Sequence, residues 1–464
     1  MYNDYQQEEL TESLSSFEKA LEHNENKYFE IHEFEYIIDY YLASDDVSTS
    51  RNAIEKALAI HPQSHELQRR LAQLNNLEGE HERAINVLNK SFDAFGADKD
   101  VDYYLILGES YLGIDKIDKA KWSFEKAIEL SGEEYFDIVT SIAVSYQQKE
   151  YFEEVIHYLK LVEKEDSSLL FDIGMAYSNI MDYENSIIYL EKSVRNMPFS
   201  VDVWYYLAKS YQANSQYELA EEAILNTIAI EPDTILYQYD LAQIYIDQSK
   251  YLEALELYKE ILSKDKQVNH SIFLSIGDIS FNIGQYENAR KNYEIALRLY
   301  PESAEAYHAL AQIEIENENY DIAKLQVQKA ISFNAKESAF FLTLGTVNQL
   351  LGDVLAAELS YKEALKIDPK QETAWHLLID YYYYIDKPKE AKKVAFDAIQ
   401  EIQASYLLFC KISASYFDLE DAEKGLLYLR KALSKDSKSI AFFLDYYPEA
   451  KDNSAIIKLI RQFQ

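Results

Sequence analysis

Pairs of adjacent residues, a Leu or Ile followed by a small or a second apolar residue, recur about every 34 residues along the chain. The pairs are Ile37-Ile38, Leu71-Ala72, Leu107-Gly108, Ile142-Ala143, Ile173-Gly174, Leu207-Ala208, Leu241-Ala242, Ile276-Gly277, Leu310-Ala311, Leu344-Gly345, Leu378-Ile379 and Ile412-Ser413. A repeat of this length is typical of a supersecondary unit whose apolar face stays uncovered until the next unit packs on it. The pattern therefore predicts a stacked array of similar units.

Small residues and prolines recur in phase with these pairs. A second small residue follows in most units, for example Ala220 and Ala289, and it allows the backbones of two helices to approach closely. Pro232, Pro301 and Pro369 follow further on, where a helix must end because proline cannot donate the next hydrogen bond. Each unit is therefore predicted to be a pair of antiparallel helices.

The phase of the pattern sets the organisation of the chain. Unit starts are predicted near Ile31, His65, Val101, Phe136, Ser167, Val201, Ile235, His270, Ala304, Ser338, Glu372 and Tyr406. Residues 1–30 are predicted to form an N-terminal capping helix, residues 31–439 about twelve repeats, and residues 440–464 C-terminal capping helices. The first cap carries an apolar stripe of Leu10, Leu14, Phe17 and Leu21, and Asn453 or Ser454 begins the last helix.

This pattern resembles the tetratricopeptide repeat over nearly the whole chain. The unit from Val201 shows the motif as Trp204, Leu207, Ala208, Tyr211, Ala220, Ile224, Thr227 and Pro232. The resemblance implies an all-α fold, a right-handed superhelical solenoid of antiparallel helix pairs. The stretch from Phe442 to Ile460 also resembles the end of long bacterial tetratricopeptide proteins. The chain is therefore interpreted as a long bacterial array.

Composition narrows the classes of partner and compartment. The chain has 80 acidic and 45 basic residues and a formal net charge of −35, which repels nucleic acid phosphates and anionic lipid surfaces. We expect the partner to be a protein or peptide, and a basic partner is one option. We expect no binding to nucleic acid and no direct insertion into a membrane. No secretory signal or long apolar run is evident, and Cys410 is the single cysteine, so the sequence favours the cytoplasm.

Sequence signatures of catalysis are missing. There is no Gly-rich phosphate loop, no cysteine pair for zinc, and His32-Glu33 lacks the second histidine of a zinc-protease helix. His308 and His376 occupy the same repeat position two units apart and are interpreted as ordinary helix histidines. The sequence therefore predicts no catalytic residue, no metal and no cofactor. A catalytic site assembled across repeats stays open as an alternative.

The resemblance implies a binding surface on the first helix of each unit, whose positions 2, 5, 6, 9, 12 and 13 line a concave groove. The groove residues chosen on this basis are Phe171, Asp172, Met175, Tyr205, Tyr206, Lys209, Tyr239, Asp240, Gln243, Asp278 and Phe281. A secondary patch consists of His376, Asp380, Tyr383, Tyr384 and Phe417. Aromatic residues among carboxylates suit a peptide with Lys or Arg beside apolar anchors. Alternatively, many of these tyrosines pack only against the adjoining helix.

The sequence thus predicts a non-catalytic scaffold or adaptor that binds a protein or peptide segment in its groove. A second hypothesis is a regulatory sensor that responds to a peptide. A third, of a different class, is an enzyme or an accessory subunit that completes an enzyme's site.

Overall fold

A computed structural model describes residues 4–23, 27–44, 46–95, 100–162, 166–264 and 269–463 of the chain. The side chains of residues 4–10 and 92–95 lie outside this description. The predicted N-terminal cap therefore falls partly outside it, at residues 1–3 and 24–26 and at the side chain of Leu10. Within the described ranges, all regular structure is helical.

The repeated units are pairs of helices. The first helices of the pairs are α2 (Ile31–Ala43), α4 (His65–Leu77), α6 (Val101–Gly113), α8 (Tyr135–Gln147), α10 (Ser167–Asn179), α12 (Val201–Ala213), α14 (Ile235–Asp247), α16 (His270–Asn282), α18 (Ala304–Glu316), α20 (Ser338–Leu350), α22 (Glu372–Tyr384) and α24 (Tyr406–Asp418). The second helices are α3 (Val47–Ile60), α5 (His81–Phe95), α7 (Ile117–Leu130), α9 (Phe152–Leu159), α11 (Tyr183–Asn196), α13 (Tyr217–Ile230), α15 (Tyr251–Lys264), α17 (Tyr286–Leu299), α19 (Tyr320–Phe333), α21 (Val354–Ile367), α23 (Pro388–Glu401) and α25 (Ala422–Lys435).

The helix starts follow the sequence pattern closely. Each first helix begins at the residue predicted for its unit, except α8, which begins at Tyr135 instead of Phe136 because a short 3-10 turn, Gly132–Glu134, leads directly into it. The all-α fold of repeated helix pairs is confirmed. The chain forms two compact units, Met1–Tyr237 and Gln238–Gln464. They are called the first unit and the second unit below, whereas a unit named by its first residue, such as the unit from Val201, is a single repeat.

Small residues of the first helices receive large residues of the second helices. A Cβ atom placed on Gly277 would lie 2.4 Å from a ring carbon of Tyr293, and one on Gly345 would lie 2.5 Å from Tyr361. Both tyrosines are buried, at 2% and 1% exposure. The glycines of the repeat are thus required because the partner ring occupies the space of a side chain, which fits the close packing of protein interiors.

The turn inside most helix pairs uses a left-handed residue. Gly79, Gly284 and Gly352 have positive φ at this place, but in other units the residue is not glycine, as for Met181 and Glu318 at φ 62° and 61°. A left-handed residue after a helix lets the last carbonyls find backbone N–H partners. The turn is therefore set by the helix ending itself, although glycine would take this conformation with less strain.

Each end of the chain carries helices outside the pairs. At the N-terminus, α1 (Asp4–Glu22) places Leu14 and Phe17 in a core with Phe34 of α2. At the C-terminus, α26 (Ser439–Tyr446), a 3-10 turn Pro448–Asp452 and α27 (Ser454–Ile460) cover the last pair. Asn453 caps α27, since its side chain accepts hydrogen bonds from the backbone N–H groups of Ala455 and Ile456.

Candidate functional site

The groove face is defined here as the side of the first helices that carries positions 2, 5, 6, 9, 12 and 13 of each unit. In the first compact unit, Met1–Tyr237, the groove face carries an aromatic cluster. Phe171 of α10 meets Tyr206 of α12 at 5.6 Å between ring centroids, and Tyr206 meets Tyr205 at 5.7 Å. Tyr205 also meets Tyr237 at 5.3 Å, and the Lys209 ammonium lies 5.9 Å from the Tyr205 ring. The structure therefore brings four of the predicted groove residues into one surface.

One carboxylate beside this cluster, that of Asp172, is partly desolvated. Burial raises the pKa of Asp172, and the charge of Asp166 acts in the same direction. Met175, one turn further along α10, is also partly buried.

Glu109 of α6 was not among the predicted groove residues. Burial raises its pKa, although hydrogen bonds from Ser145 and Asn76 act in the opposite direction. Its signal in the sequence was its repeat position, the one also held by Met175 and Lys209.

In the second unit, three of the predicted groove residues make contacts with second helices. Tyr239 is partly buried, 6.2 Å from the Tyr258 ring. The Tyr293 hydroxyl donates a 2.7 Å hydrogen bond to Asp278. Burial raises the pKa of Asp278, and this hydrogen bond lowers it only in part. Phe281 lies 5.2 Å from the Tyr286 ring.

Asp240 is partly buried, whereas Gln243 is exposed and its amide donates to Asp247 at 3.0 Å. These two residues complete the predicted set in α14. The predicted groove residues of the second unit therefore lie along α14 and α16.

A cavity of about 440 Å³ opens on the groove face of the second unit. Four successive first helices line it, and the lining residues are Phe281, His308, Gln312, Ile315, Glu316, Ala339, Leu342, Thr343, Thr346, Thr373 and Leu377. Of these, only Phe281 was a predicted groove residue. The signal that sequence reasoning missed is the run of neutral residues at positions 5, 6 and 9 of consecutive units. A neutral stretch is unusual in a chain with a net charge of −35.

Hydrogen bonds fix the chemistry of this cavity. The Thr343 hydroxyl lies 3.1 Å from the carbonyl oxygen of Ala339 and is joined to His308 Nε2 by a 2.8 Å hydrogen bond. Burial lowers the pKa of His308, and Glu337 opposes this only in part, so the ring is neutral near pH 7. The cavity offers apolar walls, hydroxyl oxygens and the Gln312 amide, with Glu316 as its single charged lining residue among those described.

The predicted secondary patch lies against the C-terminal helices of the chain. Lys411, whose side chain is 5% exposed, donates to Asp380 at 2.8 Å, and the Tyr446 hydroxyl donates to Asp380 at 2.9 Å. The Tyr383 hydroxyl donates to Ser415 at 3.0 Å, and its ring lies 5.3 Å from that of Tyr446. Burial lowers the pKa of Lys411 more than Asp380 raises it. These residues form what we call the Lys411 cluster.

The other members of the secondary patch differ in exposure. Phe417 stacks on Tyr447 at 5.8 Å, and the largely buried side chain of His376 has Nε2 3.3 Å from Glu372. Burial lowers the pKa of His376, and the nearby charge of Lys411 lowers it further. Tyr384 is 69% exposed. Lys411 and Tyr446 were not predicted, and both contact Asp380 of this patch.

In the described ranges, no three His, Cys, Asp or Glu side chains are grouped as a metal ion would require. Cys410 is fully buried, and burial raises the pKa of its thiol to about 12, which keeps it protonated at neutral pH. Among the described helices none is both long and apolar enough to cross a membrane.

Family comparisons agree with this geometry. Models described as tetratricopeptide repeats match residues 37–99, 101–134 and 274–330, and a model for subunit 3 of the anaphase-promoting complex matches residues 179–261. The chain is a tetratricopeptide repeat protein.

Relatives of this tetratricopeptide repeat protein are distant. It is 22% identical over 265 residues to pre-mRNA-splicing factor 6 of Saccharomyces cerevisiae, over 55% of this chain and 29% of the factor. It is 23% identical over 328 residues to the repeat protein YpiA of Bacillus subtilis, over 67% of this chain and 75% of YpiA. The solved structure of yeast Tom70 aligns with a TM-score of 0.48 at 13% identity, over 92% of this chain and 98% of that one. The chain spans less than half the length of several curated relatives that it matches.

Proposed function

We propose that this protein is a non-catalytic adaptor that binds a segment of another protein as a peptide on its groove face. Tetratricopeptide repeat proteins generally mediate interactions between proteins, and this general role is the starting point. The single observation that carries the proposal further is the 440 Å³ cavity of the second unit. Its volume lies in the range of ligand sites, which combine mostly apolar walls with a few polar groups.

The cavity chemistry suits a peptide better than a charged metabolite. Leu342, Leu377 and Ile315 offer apolar contacts to a side chain, and the Gln312 amide can both donate to and accept from a peptide backbone. Neutral His308 adds no positive charge for a phosphate or carboxylate. An apolar side chain seated in the cavity is therefore the expected anchor of the bound segment.

Charge around the cavity favours a basic segment. Glu316 lies in the cavity lining, and Asp278 lies one helical turn before Phe281 on α16. Lys or Arg residues beside the apolar anchor would face these carboxylates, and the net charge of −35 would speed the encounter. In the first unit, the cluster of Phe171, Tyr205 and Tyr206 is proposed as a second contact surface.

Selection of random peptides tests this proposal without knowledge of the natural partner. The full chain would be immobilised and panned with displayed peptides, and the variant Thr346→Phe, whose ring would occupy part of the cavity, would be panned in parallel. Gln328→Phe is the matched control, since it adds the same ring at an exposed site of α19. We expect enriched peptides with an apolar residue flanked by Lys or Arg, which bind Thr346→Phe about tenfold more weakly and Gln328→Phe equally well.

Two outcomes would contradict the proposal. One is that no peptide is enriched on the parent protein. The other is that the enriched peptides bind Thr346→Phe as tightly as the parent, which would place the binding surface away from the cavity. The double variant Tyr205→Ala and Tyr206→Ala then tests the first unit, where a loss of affinity would support the proposed second surface.

A further inference from the structure

A second cavity, of about 200 Å³, lies in the first unit between the N-terminal helix and the first pair. Its floor consists of Phe17 of α1, Phe29, and Phe34 of α2, which are all buried to 3% exposure or less. Their ring centroids are 5.4 to 6.3 Å apart in edge-on arrangements. Each ring contacts the other two, and none can turn into the cavity without losing these contacts. The cavity therefore stays open.

Two lysines border this apolar space. Lys27 follows α1, and its ammonium contacts the Ser16 hydroxyl and lies 5.7 Å from the Phe29 ring. Lys56 is partly buried on α3. The lining residues described for the cavity include no Asp or Glu. In a chain with 80 acidic and 45 basic residues, an apolar cavity whose charged lining residues, among those described, are both lysines is an exception.

Two acidic residues line a neighbouring polar groove, which shares Phe29 with the apolar cavity. Lys27 also borders that groove, whose lining includes Glu12 and Glu33. Glu33 is engaged there, since its carboxylate accepts hydrogen bonds from Ser13 and from the backbone N–H of Glu30. Lys56 lines the apolar cavity but not the groove. Lys56 is therefore the cation expected to act most directly on a ligand in the cavity.

From this arrangement we infer that the cavity binds an apolar ligand that carries a carboxylate, with the apolar part against the three rings and the carboxylate toward Lys56 and Lys27. An engineered cavity of about 150 Å³ holds benzene, so this one accommodates a phenyl ring with a short chain. A free aromatic or short aliphatic acid has this chemistry, and so does a peptide that ends in Phe or Leu. This site lies in the first unit and is independent of the peptide cavity proposed above.

Ligand-observed NMR and calorimetry on the full chain would test the inference, with 3-phenylpropionate as the probe and 3-phenylpropanamide as its neutral analogue. We expect the acid to bind and the amide to bind about fivefold more weakly, which is the upper end for a partly exposed ion pair. Acetyl-Gly-Phe, with a free carboxyl group, distinguishes the two sources. Tighter binding of this peptide would assign the carboxylate to a chain terminus, and tighter binding of 3-phenylpropionate would assign it to a free acid.

Variants separate the two parts of the site. Lys56→Met and, separately, Lys27→Met should weaken the acid but leave the amide unchanged, and Ala59→Leu, at an exposed position on the cavity lining, should weaken both. Lys90→Met, an exposed lysine on α5, is the matched control and should change neither. Unaltered circular dichroism would show that each variant is folded. The inference is overturned if neither acid binds the parent, or if acid and amide bind it equally.

Discussion

Two neighbouring stretches of the second unit use the same repeat positions in opposite ways. Along α16 to α22, position 6 of the unit from Ser338 is Thr343, and the groove face is open as a cavity of about 440 Å³. Along α22 to α26, position 6 of the unit from Tyr406 is Lys411, whose side chain is 5% exposed. The helix pairs are alike in both stretches. In the filled stretch, Lys411 at this repeat position occupies the groove face together with Tyr446 of α26, whereas the shorter Thr343 lines an open cavity.

The two stretches also differ in what holds them in place. In the open stretch, the neutral pair of His308 and Thr343 joins α18 to α20 by a single 2.8 Å hydrogen bond. In the filled stretch, a buried ammonium requires a partner, because an unpaired buried charge is costly. Asp380 of α22 supplies it, and the Tyr446 hydroxyl from α26 binds the same carboxylate. We therefore expect the Lys411 cluster to matter for stability and the open cavity to matter for binding.

The largest effect is expected when Lys411 loses its partner. Asp380→Ala leaves a buried ammonium without a carboxylate, a change that costs about 3 to 5 kcal/mol where both groups are buried. The Asp380 side chain is 44% exposed, so water reaches this pair, and we expect a smaller loss of about 2 kcal/mol. Urea denaturation followed by circular dichroism would measure the free energy of unfolding.

A surface ion pair provides the control for that measurement. Glu363 and Lys366 are 44% and 71% exposed and lie one helical turn apart on α21. Glu363→Ala should cost no more than about 0.5 kcal/mol. Equal effects of Asp380→Ala and Glu363→Ala would mean that the Lys411 cluster contributes no more than an ordinary surface pair, and the contrast between the two stretches would lose its energetic basis.

A smaller effect is expected at the tyrosine that closes the cluster. Tyr446→Phe removes only the hydroxyl that donates to Asp380, a hydrogen bond to a charged acceptor on a partly exposed side chain, and we expect a loss of about 1 kcal/mol. Tyr384→Phe, at a tyrosine that is 69% exposed, is the matched control and should change stability little. If the two variants unfold at the same urea concentration, the hydroxyl of Tyr446 has no structural role.

The sequence predicted the helix pairs because the information for them is local. The small residue at Gly277 and the ring of Tyr293 that fills its place are sixteen residues apart and recur with the period of the repeat. The structure also brings most residues of the predicted secondary patch together. It adds Lys411 and Tyr446, which were not predicted, since Lys411 lies 31 residues from Asp380 and Tyr446 lies 66 residues from it. No local motif marks such a pairing.

The open cavity was missed for a related reason. It depends on neutral side chains at groove positions of two consecutive units, such as His308, Thr343 and Thr346, and each of these is unremarkable in its own helix. The contact between Phe171 and Tyr206 joins groove positions of successive units, which the repeat brings side by side. Whether any of these surfaces binds a partner stays a prediction.

The smallest effect should appear in the titration of two histidines, one in each stretch. Burial lowers the pKa of His308 and of His376, but the charge of Lys411 contributes only at His376. A lowered pKa in the folded protein means that the unfolded state binds more protons below about pH 6.5, so both rings reduce stability as the pH falls through that range. Lys411→Met should raise the pKa of His376 toward its usual value and so diminish its share of this loss.

NMR of the histidine ring protons against pH would measure the two pKa values, with His308→Gln and His376→Gln used to assign the signals. In the Lys411→Met variant we expect the His376 signal to titrate at higher pH and the His308 signal to titrate as in the parent, because the charge that acts on His308 is that of Glu337. If both signals move together, Lys411 acts through a change in the fold. If neither moves, its charge does not reach the groove face, and the contrast between the open and the filled stretch is one of shape alone.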